Sequence, residues 1–324
     1  METMILDDRV RKLNQEKNFI SAVIYVRNHE TELELFLRKL AETLRETFEK
    51  FEIIFVNDYS SDSSVEIIKK ISKELTGMTI SIVNLSYFQG LEAAMVAGVD
   101  LAIGDFVFEF DSPVVDYNFK EVIKVYQQSL KGYDIVSTSP NTAGKLTSRI
   151  FYSLFHKYSR NCVQLNTERF RILSRRSINR INILSASIPY RKAIYYNCGL
   201  QTVNLKYTPI LKAMIGCNEQ QRSERMELAV NSLLLFTSLG AKVALYMATL
   251  MASISLFMLG YTVYVYVVID RVVEGWTTIM LFTSVSFTGI FVLLAILIKY
   301  VSLILHLQHT KQNYVFESIE KLNQ

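Results

Sequence analysis

Two stretches in the last third of the chain carry no charged side chain: 27 residues from Val243 to Ile269 and 22 from Thr277 to Ile298. A helix rising about 1.5 Å per residue needs about 20 residues to cross the hydrocarbon core of a bilayer, so each run can span it. The competing reading is a pair of helices buried in a protein core, but these seldom stay free of charge over such lengths. Half of the 324 residues are hydrophobic although 20% are charged, and the excess is concentrated in these runs. The segment between them, Asp270 to Trp276, is short and polar and reads as a re-entry loop.

Charge on either side orients the pair. Lys242 precedes the first run and Lys299, His306, His309 and Lys311 follow the second, while the connecting loop holds Asp270, Arg271 and Glu274. Positive side chains are retained in the cytoplasm, so the expectation is a multi-pass protein of the cell (inner) membrane with its N-terminal domain and both termini cytoplasmic. The expected division is a domain at 1–222, a juxtamembrane amphipathic helix at 223–242 lying in the interface, transmembrane helices at 243–269 and 277–298, and a cytoplasmic tail at 299–324. A rigid soluble helix is the alternative for 223–242.

Residues Met1 to Lys17 hold no apolar core of a signal peptide, and none is expected. The three cysteines, Cys162, Cys198 and Cys217, are odd in number and lack metal-binding spacing, so reduced packing residues are expected. The net charge is only +4, yet Lys145 to Arg225 is distinctly basic. Beside a membrane, such a segment suits lipid phosphates, and nucleic acid is not an expected partner.

The first hundred residues alternate in period. Phe19 to Val26, Glu52 to Val56, Thr79 to Leu85 and Asp105 to Phe110 read as strands, and helical patterns cover Glu30 to Phe51, the stretch up to Leu75, and Gly90 to Ala102. Further on, a strand at Asp134 to Ser139, helices near Leu146 to Tyr158 and Ser174 to Asn182, and a strand at Thr202 to Tyr207 are expected. Such alternation implies an α/β fold with a mostly parallel sheet and helices on both faces. Ligands of such sheets bind beyond the carboxyl ends of the strands, which places Tyr25 to Glu30, Asn57 to Ser61, Ser86 to Gly90 and Asp111 to Asp116 on one rim.

Those rim segments carry a pattern. Tyr25-Val26-Arg27-Asn28-His29-Glu30, then Val56-Asn57-Asp58-Tyr59-Ser60-Ser61-Asp62, then Leu85 to Asp105 with Gly90, Ala94 and Gly98 along one helix, resemble the opening blocks of family 2 glycosyltransferases. Read without the resemblance, the Asp/Ser turn is equally a helix cap. Thr167-Glu168-Arg169-Phe170-Arg171 is similar to the Gly-Asp-Phe-Arg stretch of the family's polyprenyl-phosphate branch. Arg222 to Met226, just before the membrane, is a looser match.

The resemblance implies a Rossmann-like GT-A domain followed by an interfacial helix and two transmembrane helices. It implies inverting transfer of a sugar from a nucleotide-sugar, a UDP-sugar favoured, to a polyprenyl phosphate, in envelope polysaccharide or glycan modification. Tyr25, Asn28, Glu30 and Asp58 would line the nucleotide, with Asp58 accepting from the base, and Gly90 would offer backbone N–H groups to phosphate. Asp111 would approach the diphosphate or a Mg²⁺ or Mn²⁺ ion, with Asp116 as a further oxygen donor. Arg171, Arg222 and Arg225 would hold the acceptor phosphate, and Asp111 and Arg171 are the expected catalytic pair.

The sequence also departs from the family pattern. Pro113 stands where the second acid of the metal-binding Asp-x-Asp is expected, and Arg169 where the branch has an Asp. A catalytically impaired scaffold or binding subunit of the same fold is therefore the alternative, and self-association is left open.

Overall fold

The computed structural model describes residues 15–141, 168–184, 190–210, 275–309 and 314–323, with a few more between 246 and 257. The juxtamembrane segment 223–242, most of the first apolar run, Arg222, Arg225, Cys162, Cys217 and the helix expected at Leu146 to Tyr158 lie outside the described residues. Two compact units are present: one comprises Met1–Ser153, Val163–Arg222 and Lys311–Gln324, the other Leu154–Cys162 and Ser223–Thr310.

In the first unit, β1 (Ile20–Val26), α1 (Leu33–Thr47), β2 (Phe51–Asn57), α2 (Ser64–Glu74), β3 (Thr79–Leu85), α3 (Leu91–Leu101) and β4 (Phe106–Phe110) follow the expected alternation. Then come α4 (Lys120–Ser129), β5 (Ile135–Pro140), β6 (Phe170–Ser174), α5 (Arg175–Leu184), α6 (Arg191–Asn197) and β7 (Thr202–Tyr207). In the second unit lies α7 (Gly275–His309), after which β8 (Phe316–Asn323) rejoins the first. The sheet order is β7-β5-β6-β4-β1-β2-β3-β8. β1 pairs in parallel with β2 and β4, β2 with β3, and β5 with β7, whereas β6 and β8 run against their neighbours.

The central strands form because they are apolar on both faces. Every residue of β1 is buried, as are six of the seven in β2, which is the signature of a sheet covered on both sides. One layer packs Phe36, Leu37, Leu40 and Leu44 of α1 against the sheet, and each such side chain contributes about 1.5–3 kcal/mol on full burial. Against β1 and β2 lies α3, whose small-residue face brings it close. A Cβ on Gly98 would stand 2.3 Å from Val23 Cγ1 and 2.7 Å from Val56 Cγ2.

One expectation is corrected here. The tail expected at 299–324 is not a separate appendage, because its last residues form β8, antiparallel to β3 along the sheet edge. Its sequence, FESIEKLN, alternates poorly because its inward polar groups have polar partners: Asn84 Nδ2 donates to Ser318 Oγ and Glu320 Oε1, both at 3.0 Å, and Lys69 pairs with Glu320 at 2.6 Å. The block around Arg171, read as a motif, is itself strand β6. The expected span 277–298 lies within the 35-residue helix α7, but not all its side chains are among those described. Among the described residues no helix is long and apolar enough to cross a membrane.

Candidate active site

Beyond the carboxyl ends of β1, β2 and β3, three loops are laced together by side chains. Asn28 Oδ1 accepts from Ser61 N–H at 2.9 Å, Glu30 Oε2 accepts from Ser63 N–H at 3.2 Å, and Glu30 N–H donates to Asp62 Oδ2 at 3.0 Å. Asn28 and Tyr59 have φ of 53° and 55°, a left-handed conformation uncommon outside glycine. The lacing over-determines both loops and so sustains that conformation. Arg27 donates to the Asp58 carbonyl and lies 3.5 Å over the Phe88 ring, closing the rim between β1 and β3.

Asp58 is the centre of this arrangement and is fully buried. Its Oδ1 accepts from Gln89 N–H at 2.8 Å, and its Oδ2 accepts from Gly90 N–H at 2.9 Å and from Tyr25 O–H at 3.0 Å. Burial raises its pKa, and the hydrogen bonds from Gln89, Tyr25 and Gly90 oppose the shift. Two expectations change accordingly. Asp58 holds the loop Ser86–Gly90 rather than presenting itself to a base, and the Gly90 N–H is spent on Asp58 rather than left for phosphate. Gly90 is required for its backbone: φ is 86°, and α3 starts from it.

A second cluster lies past β4. Four carboxylates, Glu92, Glu109, Asp111 and Glu168, meet three cations, Arg171, Arg191 and Lys192. In the antiparallel register Glu109 faces Arg171, whose guanidinium reaches Glu109 at 3.1 Å, Asp111 at 2.7 Å and Glu168 at 3.2 Å. Arg191, at the start of α6, reaches Glu92 at 2.9 Å, Glu109 at 2.9 Å and Asp111 at 3.0 Å. Tyr195 O–H donates to Glu109 at 2.6 Å, and Tyr196 O–H to Glu168 at 2.8 Å. Burial alone would raise the Asp111 pKa, but Arg171, Arg191 and Lys192 outweigh it and hold the carboxyl well below the usual carboxylate range.

This geometry corrects the expectation for Arg171. Its side chain is 0% exposed and three carboxylates occupy it, so it organises Asp111 and is not open to an acceptor phosphate. Lys192, 13% exposed and 3.7 Å from Asp111, is the more open cation. Sequence reasoning gave Glu92, Arg191, Lys192 and Tyr195 no individual site role, and took Gln89 only as part of the rim segment Ser86 to Gly90. The one local signal was a charge in a strand core, Phe108-Glu109-Phe110.

The metal candidates do not fit an ion as they are placed. Both Asp111 oxygens are on guanidinium groups, and Asp116 is held by Arg169 at 2.8 Å and by Tyr207 O–H at 2.7 Å. Among the described residues no group of three or more His, Cys, Asp or Glu side chains is placed to hold a metal. Such an ion is held by one or two carboxylates besides the oxygens of substrate and water, so binding here would need Asp111 or Asp116 freed from its present partners. UDP affinity measured by calorimetry is therefore expected to agree within about twofold between EDTA and excess Mn²⁺; a loss of about tenfold in EDTA would show a metal in the donor complex.

Loops at the carboxyl ends of parallel strands, with a buried carboxylate fixing the one that opens a helix, are where α/β domains of this kind take their ligands. The chain belongs to glycosyl transferase family 2, whose profile matches residues 21–195, and it is a glycosyltransferase. It is 23% identical over 280 residues to the uncharacterized glycosyltransferase YkcC of Bacillus subtilis (strain 168), covering 85% of each chain. It is 26% identical over 278 residues to the bactoprenol glucosyl transferase of Shigella phage SfX, covering 83% of this chain and 88% of that one. The mannosyltransferase PcManGT from Pyrobaculum calidifontis, solved with GDP-Man and Mn²⁺, shares the GT-A fold: TM-score 0.50, 11% identity, 86% of this chain and 88% of that one.

Proposed function

We propose that this glycosyltransferase moves a sugar from a nucleotide-sugar, a UDP-sugar favoured, to a polyprenyl phosphate at the cytoplasmic face of a membrane. The observation that carries this reading is the extent of the likeness to bactoprenol glucosyl transferases. At 83% of this chain and 88% of theirs, it takes in part of the apolar C-terminal third as well as the nucleotide half.

An acceptor phosphate oxygen attacks the anomeric carbon, the bond from that carbon to the diphosphate oxygen breaks, and nucleoside diphosphate leaves with the electron pair, inverting the centre. A monoester phosphate has a second pKa of about 6 and is largely dianionic at pH 7, so no side chain needs to take a proton from it. Arg169 in place of the expected Asp is compatible with such a reaction. The loops at 27–30, 58–63 and 86–90 take the nucleotide, and Lys192 faces the diphosphate charge beside Asp111.

Two features support the membrane placement. Ile279, Phe287, Leu297 and Ile298 on α7 are more than half exposed, an apolar surface that lipid would cover. The strand β8 shares a sheet with β1 to β7, so chain leaving after Tyr207 returns to the side it left, and any crossings in between are even in number.

A non-catalytic reading draws on Pro113 and on the engagement of both Asp111 oxygens. The purified full chain, given UDP-sugars and a short-chain polyprenyl phosphate, is expected to release UDP only when the lipid is present. No release from any donor, with or without Mn²⁺, would overturn the enzymatic reading in favour of the scaffold.

A further inference from the structure

The residues leading into β8 reach the loop that Asp58 holds. The Gln89 carboxamide grips both backbone groups of Val315: its Oε1 accepts from Val315 N–H at 2.8 Å, and its Nε2 donates to the Val315 carbonyl. Ser86 N–H donates to that same carbonyl at 3.2 Å. The backbone N–H of Gln89 is the donor to Asp58 Oδ1, so a single residue joins the C-terminal segment to the buried carboxylate. Next door, Tyr314 hydrogen-bonds the side chain of Asp100, in the last turn of α3. Residues 314–315 thus hold the segment Ser86–Leu101 at both ends.

From these contacts we infer that the C-terminal segment is a working part of the donor site, and that Gln89 is its positioning residue. Without the Val315 clamp, the loop Ser86–Gly90 keeps Asp58 and the Arg27–Phe88 contact on one side, while the Gln89 carboxamide has no fixed partner on the other. The loop then samples several positions, and the binding-competent fraction falls with them. The inference rests on the reading of this rim as the nucleotide site, and it adds that sequence more than 220 residues away sets donor affinity.

The test uses the full chain. Gln89→Ala is expected to weaken UDP binding by on the order of tenfold in calorimetry. In turnover it should raise KM for the donor while leaving KM for the lipid acceptor unchanged. Gln89→Glu supplies a rescue: the ionised carboxylate opposes the Val315 carbonyl, whereas the protonated acid mimics the amide, so its deficit relative to wild type should shrink as pH falls. Tyr314→Phe, which keeps the ring and loses the bond to Asp100, should weaken UDP binding in the same direction and is decisive if Gln89→Ala fails to fold. Wild-type affinity in folded Gln89→Ala, or in Tyr314→Phe if that variant has to decide, would overturn the inference and leave the donor-site reading intact. A wild-type chain that binds no nucleoside diphosphate would overturn both.

Discussion

Replacing Arg171 by methionine is expected to cost the fold about 3–5 kcal/mol, the penalty of stripping the partner from buried charge. Glu109 and Arg171 are both 0% exposed, Glu168 is 2% and Asp111 12%, so little water can take over when the guanidinium is gone. Arg191 cannot compensate, since it already reaches Glu92, Glu109 and Asp111. Lysine should not rescue, because a single ammonium lacks the planar fork that serves three carboxylates at once. Urea unfolding of the purified chain reads the effect directly. A loss below about 1 kcal/mol, the level of an exposed pair, would mean that the cluster is open to solvent.

The second large effect is expected on ligand binding. Asp58→Ala removes the acceptor of two backbone N–H groups and one phenol, and hydrogen bonds to a charged group are each worth about 1.5–3 kcal/mol. The loop from Ser86 to Gly90 then loses its anchor, and UDP affinity should fall by about a hundredfold or more; a change within about threefold would remove Asp58 from the donor site. Asp58→Asn keeps one acceptor oxygen and should fall in between. Because burial raises the Asp58 pKa, protonation begins at a higher pH than for an ordinary carboxyl as pH falls. Donor affinity, which uses the ionised acceptor, should weaken there in wild type and lose this pH dependence in Asp58→Asn. Folding stability has the opposite sign: a carboxyl whose folded pKa is raised binds more protons than the unfolded chain, so this group favours the fold increasingly as pH falls through that window.

Much of the architecture was legible because its signals are local. β1 to β4 are apolar runs between helices of clear period, and both appear within a dozen residues. The strands that escaped, β6 and β8, share a physical cause. Arg171 interrupts β6 with a charge whose partners, Glu109, Asp111 and Glu168, all lie outside that strand, and β8 carries the Glu and Lys typical of an edge strand. The site divides in the same way. Asp58 stood out from its turn, but its role depends on Gln89 and Gly90, which no spacing rule ties to it. The Glu92–Arg191 pair joins residues 99 positions apart, and neither end carries a local pattern. Glu109 between two phenylalanines was the exception, a buried acid that demanded a cation somewhere in the fold.

The pairing of β3 with β8 also sets an order of events during synthesis. Asn84 and its partner Ser318 are 234 residues apart, so the ribosome makes the rest of the sheet and the apolar runs before the outermost strand exists. Until then β3 presents a free edge, the kind of surface that recruits stray strands from other chains. Contacts of such high sequence separation form late because the intervening loop must first be closed. The loop Ser86–Gly90 therefore gains its contacts with Val315 only after the segment between Tyr207 and Phe316 has been made.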